Sequence, residues 1–395
     1  MTLTATSATP GAADLTTAAV VKSRIASIDV MRGLVIVLML VDHVREKLYL
    51  HVQVGDPMDV QNTAPELFFT RMTAHLCAPT FVFLTGLSAW LYSHPAMGTR
   101  SASGFLFKRG LFLVFIELTL INFAWFGTYN TLYLQVIWAI GLSMIALSAL
   151  VRLPYWTIGA LGALIVLGHN LLSPISFAPG EFGYSLWTIL HDRGVLVADG
   201  PVVVKVSYPV LPWIGVILLG YFAGPLYSRG MDMMARRKGL LGLAAACLGA
   251  LAILRGFNIY GETLPWVQGD TAVQTVMSFV NFTKYPPSLN FLLLTLGVAF
   301  ILLAWFETRK NALVDALETF GSAPMFFYIV HLYVLLIGYQ ILLAIFGPTQ
   351  GELFGVDNFY WVWVTSALMT LALYYPTKVF AKFKHSTDMA WVKYF

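Results

Sequence analysis

The fold is decided by residues 287–306, which read PSLNFLLLTLGVAFILLAWF. This stretch contains no charged side chain and is long enough to cross a bilayer as a helix, because about 20 apolar residues span the hydrocarbon core. Similar apolar runs occupy most of the chain, at residues 28–49, 70–93, 104–126, 131–151, 155–173, 208–228, 239–256, 321–346 and 359–380. The sequence therefore predicts an all-α fold, a polytopic integral membrane helical bundle of about ten transmembrane helices.

The composition excludes the usual classes of soluble protein. Of the 395 residues, 58% are hydrophobic and only 11% are charged, which is less than half the charged fraction of soluble domains. The formal net charge of +4 is small and spread over short loops, so no nucleic-acid partner is expected. Cys77 and Cys247 lie in apolar stretches, where a thiol behaves as a small hydrophobe. We therefore expect neither a disulfide framework nor a metal site.

The apolar runs form one transmembrane domain over residues 23–385. Residues 1–22 are predicted to be a disordered cytoplasmic tail, and residues 386–395 a second cytoplasmic tail. The two longer connections, 174–206 and 257–285, carry Pro, Gly and aromatic residues and are expected to cap the bundle or re-enter it. The sequence shows no internal repeat, which counts against an inverted-repeat transporter.

Loop charges give the bundle a direction. With ten spans, most Lys and Arg residues fall on one side, which the positive-inside rule assigns to the cytoplasm. These residues are Lys22, Arg24, Arg100, Lys108, Arg109, Arg152, Arg229, Arg236, Arg237, Lys238, Arg309, Lys310, Lys382 and Lys384. Both termini are therefore expected in the cytoplasm. The opposite side carries the more unusual side chains, at Asp42, His51, His191, Asp192, Asp270 and Lys284.

The first predicted helix carries a polar stripe. Asp29 and Arg32 are one helical turn apart, and His43 follows Arg32 by eleven residues. Eleven steps of about 100° return to nearly the same helix face, and a rise of about 1.5 Å per residue separates Arg32 from His43 by about 16 Å. Ionisable side chains inside a membrane usually face a cavity or a partner. A structural interpretation stays open, in which Arg32 snorkels to the interface, Asp29 pairs with it and His43 ends the helix.

Three further ionisable side chains are candidates for function. Arg71 and His75 begin the second predicted helix at about the depth of His43. A cluster that also includes Asp42 is geometrically feasible, and the alternatives are an interfacial anchor and a buried core histidine. Glu117 lies near the middle of the third predicted helix, where an unpaired carboxylate is expensive. It either lines water, pairs with a cation or makes a structural hydrogen bond between helices.

Two segments in the last third of the chain supply the remaining candidate residues. His331 lies near the middle of the ninth predicted helix, one turn after Tyr328. It could relay a proton, orient a substrate or simply hydrogen-bond a neighbouring helix. Lys284 and Tyr285 precede two prolines at the outer start of another helix. Aromatic residues at this depth ordinarily form the interfacial belt, but Lys284 is a candidate for binding an anionic or polyhydroxylated group.

One run in the first helix, together with stretches further along, resembles a known family. The run is Ser27–Gly33 (SIDVMRG), followed by Met39, Asp42 and His43. The other stretches are Pro79–Gly86, Pro209–Gly220, Lys284–Ser288 and Gly321–His331. They resemble the transmembrane acyltransferases that include heparan-alpha-glucosaminide N-acetyltransferase and its bacterial relatives. The spacing of Arg32 and His43 is also similar to that of the acyltransferase-3 family.

The resemblance implies a bundle of ten or more helices that takes acetyl-CoA from the cytoplasmic side and delivers the acetyl group to a sugar on the other side. It implies a catalytic histidine in the loop after the first helix. His43 fits the spacing of the acyltransferase-3 family and His51 lies nearer that loop position, so both are candidates. Asp42 or Glu117 would hold the imidazole in its productive tautomer. A covalent acetyl-histidine is the alternative to direct transfer.

The resemblance also divides the candidate residues between donor and acceptor. Arg32, Lys108 and Arg109, with Asp29 beside Arg32, would hold the CoA phosphates near the cytoplasm. The substrate-binding residues would be Arg71, His75, Lys284, Tyr285 and His331. Because only a short tail precedes the first helix, we expect a bacterial glycan, glycolipid or amino sugar rather than heparan. We expect the protein in the bacterial inner membrane, where a homodimer is compatible with the family.

Two other functions stay open from the sequence. A proton-coupled secondary transporter or flippase would use the same buried Arg, Glu and His side chains along a substrate path. A scaffold protein of the envelope would need none of them. The spacing of Arg32 and His43 and the lack of internal repeats favour the acyltransferase.

Overall fold

The computed structural model describes residues 26–95 and 97–395, and helices make up most of it. The predicted tail 1–22 lies outside these residues. Numbered along the chain, the helices are α1 (Ala26–Leu48), α2 (Pro65–Thr73), α3 (Cys77–Ser93), α4 (Ser103–Ile116), α5 (Asn122–Phe126), α6 (Val136–Leu150), α7 (Tyr155–Gly168), α8 (Tyr184–Leu190), α9 (Leu211–Phe222), α10 (Met233–Gly256), α11 (Ala272–Val280), α12 (Leu289–Phe306), α13 (Ala312–Ser322), α14 (Pro324–Phe346) and α15 (Tyr360–Ser386). A 3₁₀ turn joins α2 to α3, and a π-helix over Glu117–Ile121 joins α4 to α5.

Several helices have the length and composition of membrane spans. Within the described ranges there are five of them, Pro65–Ser93, Tyr155–Leu172, Met233–Gly256, Leu289–Phe306 and Pro324–Phe346. Helix α1 has 23 residues but carries several charges, and the apolar helices α6 and α9 are shorter. The structure thus agrees with a helical membrane protein, and the number of ten spans stays a prediction.

A small sheet is the first departure from the predicted helices. Its strands are β1 (Thr131–Leu134), β2 (Gly194–Val197) and β3 (Val203–Val206), with β3 in the middle, parallel to β1 and antiparallel to β2. The sequence predicts a helix from residue 131, but α6 begins only at Val136. The side chain of Asn122 accepts the backbone N–H of Tyr133 at 2.7 Å and helps hold this segment extended. Two strands lie in the connection 174–206, which is therefore folded rather than a plain loop.

Helix α13 is the second departure, because the sequence predicts no helix between residues 306 and 321. Asn311 begins this helix by accepting the backbone N–H of Val314 at 2.9 Å, which is the usual role of an N-cap side chain. The helix crosses α1 at two glycines. A Cβ atom at Gly33 would lie 1.8 Å from the Leu317 carbonyl oxygen, and one at Gly321 only 1.7 Å from the Asp29 carbonyl oxygen. Small residues allow such close backbone approach between membrane helices.

The connection 257–285 is organised around α11. The buried guanidinium of Arg255, at the end of α10, donates to the carbonyl oxygens of Ser278, Phe279, Asn281 and Leu264 at 2.6 to 3.1 Å. Three of these carbonyl groups, those of Ser278, Phe279 and Asn281, lie at the C-terminal end of α11, where a cation is also favourable to the helix dipole. The connection is thereby fixed against the bundle, which places the residues that follow it.

The predicted tail 386–395 also packs against the bundle. A 3₁₀ turn over Ala390–Tyr394 follows α15. The Tyr394 ring lies 6.0 Å from that of Phe105, and the Phe395 ring lies 5.5 Å from that of Phe112. This segment therefore closes one side of α4.

Candidate active site

An elongated cavity of about 640 Å³ runs beside α1. Along α1 it is lined by Arg32, Ile36, Met39, His43 and Glu46, which follow one another at intervals of three or four residues. Such spacing places all five side chains on one helix face, and the rise per residue spreads them over about 21 Å. The structure therefore agrees with a continuous stripe from Arg32 to His43, and it shows that the stripe faces open space.

The middle of the cavity is mostly apolar. Four other helices supply its walls there, with Cys77, Ala78, Phe81 and Thr85 of α3, Leu113 of α4, Ile140 and Met144 of α6, and Met325 of α14. Charged side chains lie at the two ends instead. An elongated ligand with an anionic head and an apolar arm fits such a distribution of polarity.

The first end, which we call the basic end, is defined by Arg32, Arg109 and Lys384. Arg32 donates to Asp29 at 3.0 Å and to the Ser88 hydroxyl at 2.5 Å. Arg109 is close enough to Arg32 for the two charges to interact. Its Nε is buried and has no hydrogen-bond partner among the described residues. A guanidinium in this state is suited to an anion entering the cavity.

Lys108 does not belong to the basic end. It is exposed and does not line the cavity. Adjacent positions on a helix point about 100° apart, so Lys108 and Arg109 lie on different faces of α4. Of the four cofactor-binding candidates, the structure places Arg32 and Arg109 in the cavity wall, with Asp29 paired to Arg32 behind it.

The second end, which we call the polar end, is defined by Asp42, His43, Arg71 and Lys284. Its central feature is a pair of stacked histidines. Nδ1 of His43 lies 2.7 Å from Nε2 of His331, and the two rings are 17° from parallel. His331 is fully buried, and its Nδ1 lies 2.9 Å from the Phe327 carbonyl oxygen.

These two hydrogen bonds fix the tautomers of neutral histidines. A carbonyl oxygen only accepts, so Nδ1 of His331 carries the proton and its Nε2 is the acceptor. Nδ1 of His43 must then be the donor, which leaves the lone pair on Nε2 of His43. His43 lines the cavity, whereas His331 lies behind it. The arrangement is that of a general base held in one tautomer by a second residue.

Aromatic rings enclose the histidine pair. Trp125 meets the His43 ring edge to face at a centroid distance of 4.7 Å, and Tyr328 does so at 5.9 Å. Both rings also line the cavity. The imidazole of His43 is therefore restrained on several sides, and its remaining free edge faces the cavity.

Asp42 and Arg71 belong to a network of four charges. Asp42 accepts from Arg45 and from Arg71, each at 2.8 Å. Glu46 accepts from Arg45 at 3.1 Å and lies 3.6 Å from Arg71. Both oxygens of Asp42 are thus occupied by arginines, and no hydrogen bond joins it to His43 in the described part of the chain. The residue that orients His43 is a histidine rather than the expected carboxylate.

Lys284 and Tyr285 sit on a turn held by Asp56. The Asp56 carboxylate accepts the backbone N–H of Lys284 at 3.1 Å and that of Tyr285 at 3.0 Å. The Tyr285 hydroxyl in turn hydrogen-bonds that of Tyr208 at 3.2 Å. Burial raises the pKa of the Asp56 carboxyl above its ordinary value, against the opposing effect of Arg71 and Lys284. Lys284, Tyr285 and Tyr208 all line the cavity.

Two of the candidate histidines lie away from the cavity. His51 packs against the ring of Tyr49 at 4.9 Å and against Gly355. His75 is buried 5.2 Å from the Phe291 ring. Neither lines the cavity, so of the two competing catalytic positions the geometry favours His43.

The side chain of Glu117 caps the beginning of α6. It is fully buried at the start of the π-helix, and its Oε2 accepts the backbone N–H of Trp138 at 3.1 Å. Trp138 lies in the first turn of α6, where backbone N–H groups have no partner within the helix. Glu117 therefore caps a neighbouring helix, does not line the cavity, and matches the structural alternative among its predicted roles.

Three charged residues of the cavity wall were not predicted as site residues from the sequence. Glu46 continues the stripe one turn beyond His43, so the same spacing argument could have found it. Arg193 and Lys384 also line the cavity, but they come from a connection and from the last helix. No periodicity links either of them to α1. The described residues contain no group of three or more His, Cys, Asp or Glu side chains placed to hold a metal ion.

Comparison with known families agrees with the resemblance read from the motifs. The family model described as heparan-alpha-glucosaminide N-acetyltransferase, catalytic, matches residues 24–258. The match covers about three fifths of the chain and includes Arg32, His43 and Arg109, whereas Lys284 and His331 lie beyond it. No curated protein matches the chain. The chain therefore belongs to the heparan-alpha-glucosaminide N-acetyltransferase family and is an integral membrane protein.

Proposed function

We propose that the protein transfers an acetyl group from acetyl-CoA to a sugar or glycan acceptor across the membrane. The observation that carries the proposal is the cavity that connects a pair of arginines at one end with an oriented histidine at the other. The family supports membrane acetyltransferase activity. The donor, the acceptor and the direction of transfer are our own inference.

The basic end is suited to the phosphate groups of CoA. Arg109 has an unpartnered Nε there, and Arg32 is held in place by Asp29 and Ser88. CoA carries its phosphates and its thiol at opposite ends of a flexible arm. The distance of about 16 Å along α1 from Arg32 to His43 is of the order of that arm. The apolar middle of the cavity would then hold the arm.

At the polar end, Nε2 of His43 would take the proton from the acceptor hydroxyl or amine as that group attacks the thioester carbonyl. The carbon–sulfur bond breaks, and the imidazolium returns the proton to the leaving thiolate. His331 keeps His43 in the required tautomer throughout, because it accepts from Nδ1. In the alternative with an acetyl-histidine, the same Nε2 attacks the thioester first.

The direction of transfer follows from loop charge. We assign the basic end to the cytoplasm, because the sequence places most loop Lys and Arg residues on that side. The assignment takes ten spans as its premise and places both termini in the cytoplasm. The polar end then opens to the outer face of a bacterial inner membrane, where the acceptor is a sugar, glycan or glycolipid. His43 rather than His51 is the base in this scheme.

The proposal is tested by CoA binding to the purified protein in detergent. Arg109→Ala should weaken acetyl-CoA binding by roughly 10- to 150-fold, since a charge-assisted hydrogen bond contributes about 1.5–3 kcal/mol. Lys108→Ala is the matched control, because it removes the same charge from the next residue of the same helix but outside the cavity. Equal binding by both variants, or no binding by the wild type, contradicts the donor site.

A second comparison tests the base. His43→Ala should abolish acetyl transfer while CoA still binds, and His51→Ala should leave transfer within a fewfold of wild type. The opposite order would move the base to His51. Proton-driven uptake of a solute into liposomes, without acetyl-CoA binding, would instead support the transporter.

A further inference from the structure

The polar end contains a buried lysine side chain whose Nζ has no carboxylate within ion-pairing distance among the described residues. Lys284 is only 4% exposed and lines the cavity. Among the described residues its Nζ makes no hydrogen bond, and it lies 5.3 Å from the centre of the Tyr285 ring. Asp42, Glu46 and Asp56 interact with it electrostatically over a longer distance. A buried charge is stabilised further by a direct partner, and the cavity beside Lys284 is the space that such a partner would occupy.

The nearby carboxylates are already in use. Asp42 accepts from Arg45 and Arg71. Glu46 is likewise paired with Arg45, and the oxygens of Asp56 accept backbone N–H groups. A second cation, Arg193, lies 4.8 Å from the Tyr285 ring and also lines the cavity. Together with Arg45 and Arg71, Lys284 and Arg193 make four cations at the polar end against the three carboxylates of Asp42, Glu46 and Asp56, so this part of the cavity wall carries a net positive charge among the described residues.

Several hydrogen bonds hold the backbone around Lys284 in place. Asp56 holds the backbone of the turn, and Glu262 holds the residues on both sides of it by accepting from Thr283 at 2.5 Å and from Ser288 at 2.6 Å. Asn281 adds a reciprocal pair of hydrogen bonds to the backbone of Met58 at 2.7 and 3.0 Å. A turn anchored at so many points presents its lysine side chain to the cavity with little loss of entropy on binding.

We infer that Lys284, assisted by Arg193, forms a binding subsite for an anionic group of the acceptor, such as a phosphate or a carboxylate. The inference rests on the proposed acetyl transfer. Lys284 interacts electrostatically with both His43 and Asp42, so it lies in the same end of the cavity as the base. An acceptor held by its negative charge at Lys284 would place a hydroxyl or amine within the space beside His43. The acceptor class is therefore an acidic or phosphorylated sugar rather than a neutral one.

The test uses the purified protein saturated with CoA, which in this scheme extends from the basic end to His43 and leaves the space beside Lys284 and Arg193 free. Binding of D-glucosamine, D-glucosamine 6-phosphate and D-glucuronate is measured by calorimetry at constant ionic strength. Phosphate and carboxylate probes distinguish the two sources of negative charge. At least one anionic sugar should bind more tightly than D-glucosamine. Lys284→Gln should weaken that binding by roughly 10- to 150-fold, and Lys284→Arg should largely retain it.

Lys310→Gln is the matched control, because this lysine is exposed and does not line the cavity. Unchanged CoA binding by the Lys284 variants shows that they are folded. The inference is overturned if no anionic sugar binds the CoA-loaded protein, if D-glucosamine binds equally well, or if Lys284→Gln binds the anionic sugar as wild type does. Failure of the wild type to bind CoA overturns the proposed function itself, and the two failures are therefore distinct.

Discussion

Replacing His331 by Ala tests how the proposed base is oriented. The change removes the acceptor of a 2.7 Å hydrogen bond from Nδ1 of His43 and leaves that buried N–H unsatisfied. Losing one partner of a buried hydrogen bond costs about 1–3 kcal/mol. If this free energy destabilises the tautomer of His43 that acts as the base, kcat drops by roughly 5- to 150-fold. The KM for acetyl-CoA should stay unchanged, because His331 does not line the cavity.

The assay is steady-state acetyl transfer with acetyl-CoA varied, in wild type, His331→Ala and His331→Gln. Gln carries an amide oxygen that can accept from His43, so this variant should recover part of kcat. The control is His75→Ala, which removes another buried histidine that lies outside the cavity. An unchanged kcat in His331→Ala, or an equal loss in His75→Ala, would refute the orienting role.

Three further predictions concern stability. Gly33→Ala should lower Tm by the equivalent of about 1–3 kcal/mol or more, because its Cβ would meet the Leu317 carbonyl oxygen at 1.8 Å. Gly249→Ala is the control, because its Cβ would face open space and Tm should not fall. Equal Tm values for these two variants would contradict the close crossing. Arg255→Met should increase the rate of backbone hydrogen exchange over residues 272–285, because it leaves four carbonyl groups unpaired. The control Lys310→Met, at an exposed residue, should leave the exchange rate of this segment unchanged. Burial raises the pKa of the Asp56 carboxyl, so its neutral form stabilises the fold at low pH and this stabilisation is lost as pH rises through the raised pKa. The Tm of wild type minus that of Asp56→Asn should therefore fall as pH rises from about 4, and a difference that grows would contradict the burial.

The sequence was sufficient for the features that depend on helical periodicity. Apolar runs located most of the helices, and the spacing of Arg32 and His43 placed both on the face of α1 that lines the cavity. The distinction between Arg109 and Lys108 follows from the same geometry once one cavity wall is known.

Features that depend on tertiary contacts were not predictable in this way. Glu117 has the same sequence context whether it lines water or caps α6, and only the position of α6 decides between them. His331 is 288 residues from His43, so no local pattern reveals their hydrogen bond. The short helix α13 and the sheet are each stabilised by contacts with distant segments, which local propensity does not report.

The central claim is that one cavity holds CoA between the basic end and His43. Cys77 allows a direct test, because its thiol lines the middle of the cavity and Cys247, the other cysteine, does not. In Cys247→Ala protein, the rate at which a polar methanethiosulfonate modifies Cys77 is measured with and without acetyl-CoA, whose thioester sulfur does not consume the reagent, and acetyl-CoA binding is followed in the same sample. The account predicts that bound acetyl-CoA slows the modification and that Arg109→Ala removes this protection. A thiol that reacts at the same rate when acetyl-CoA is bound would contradict it.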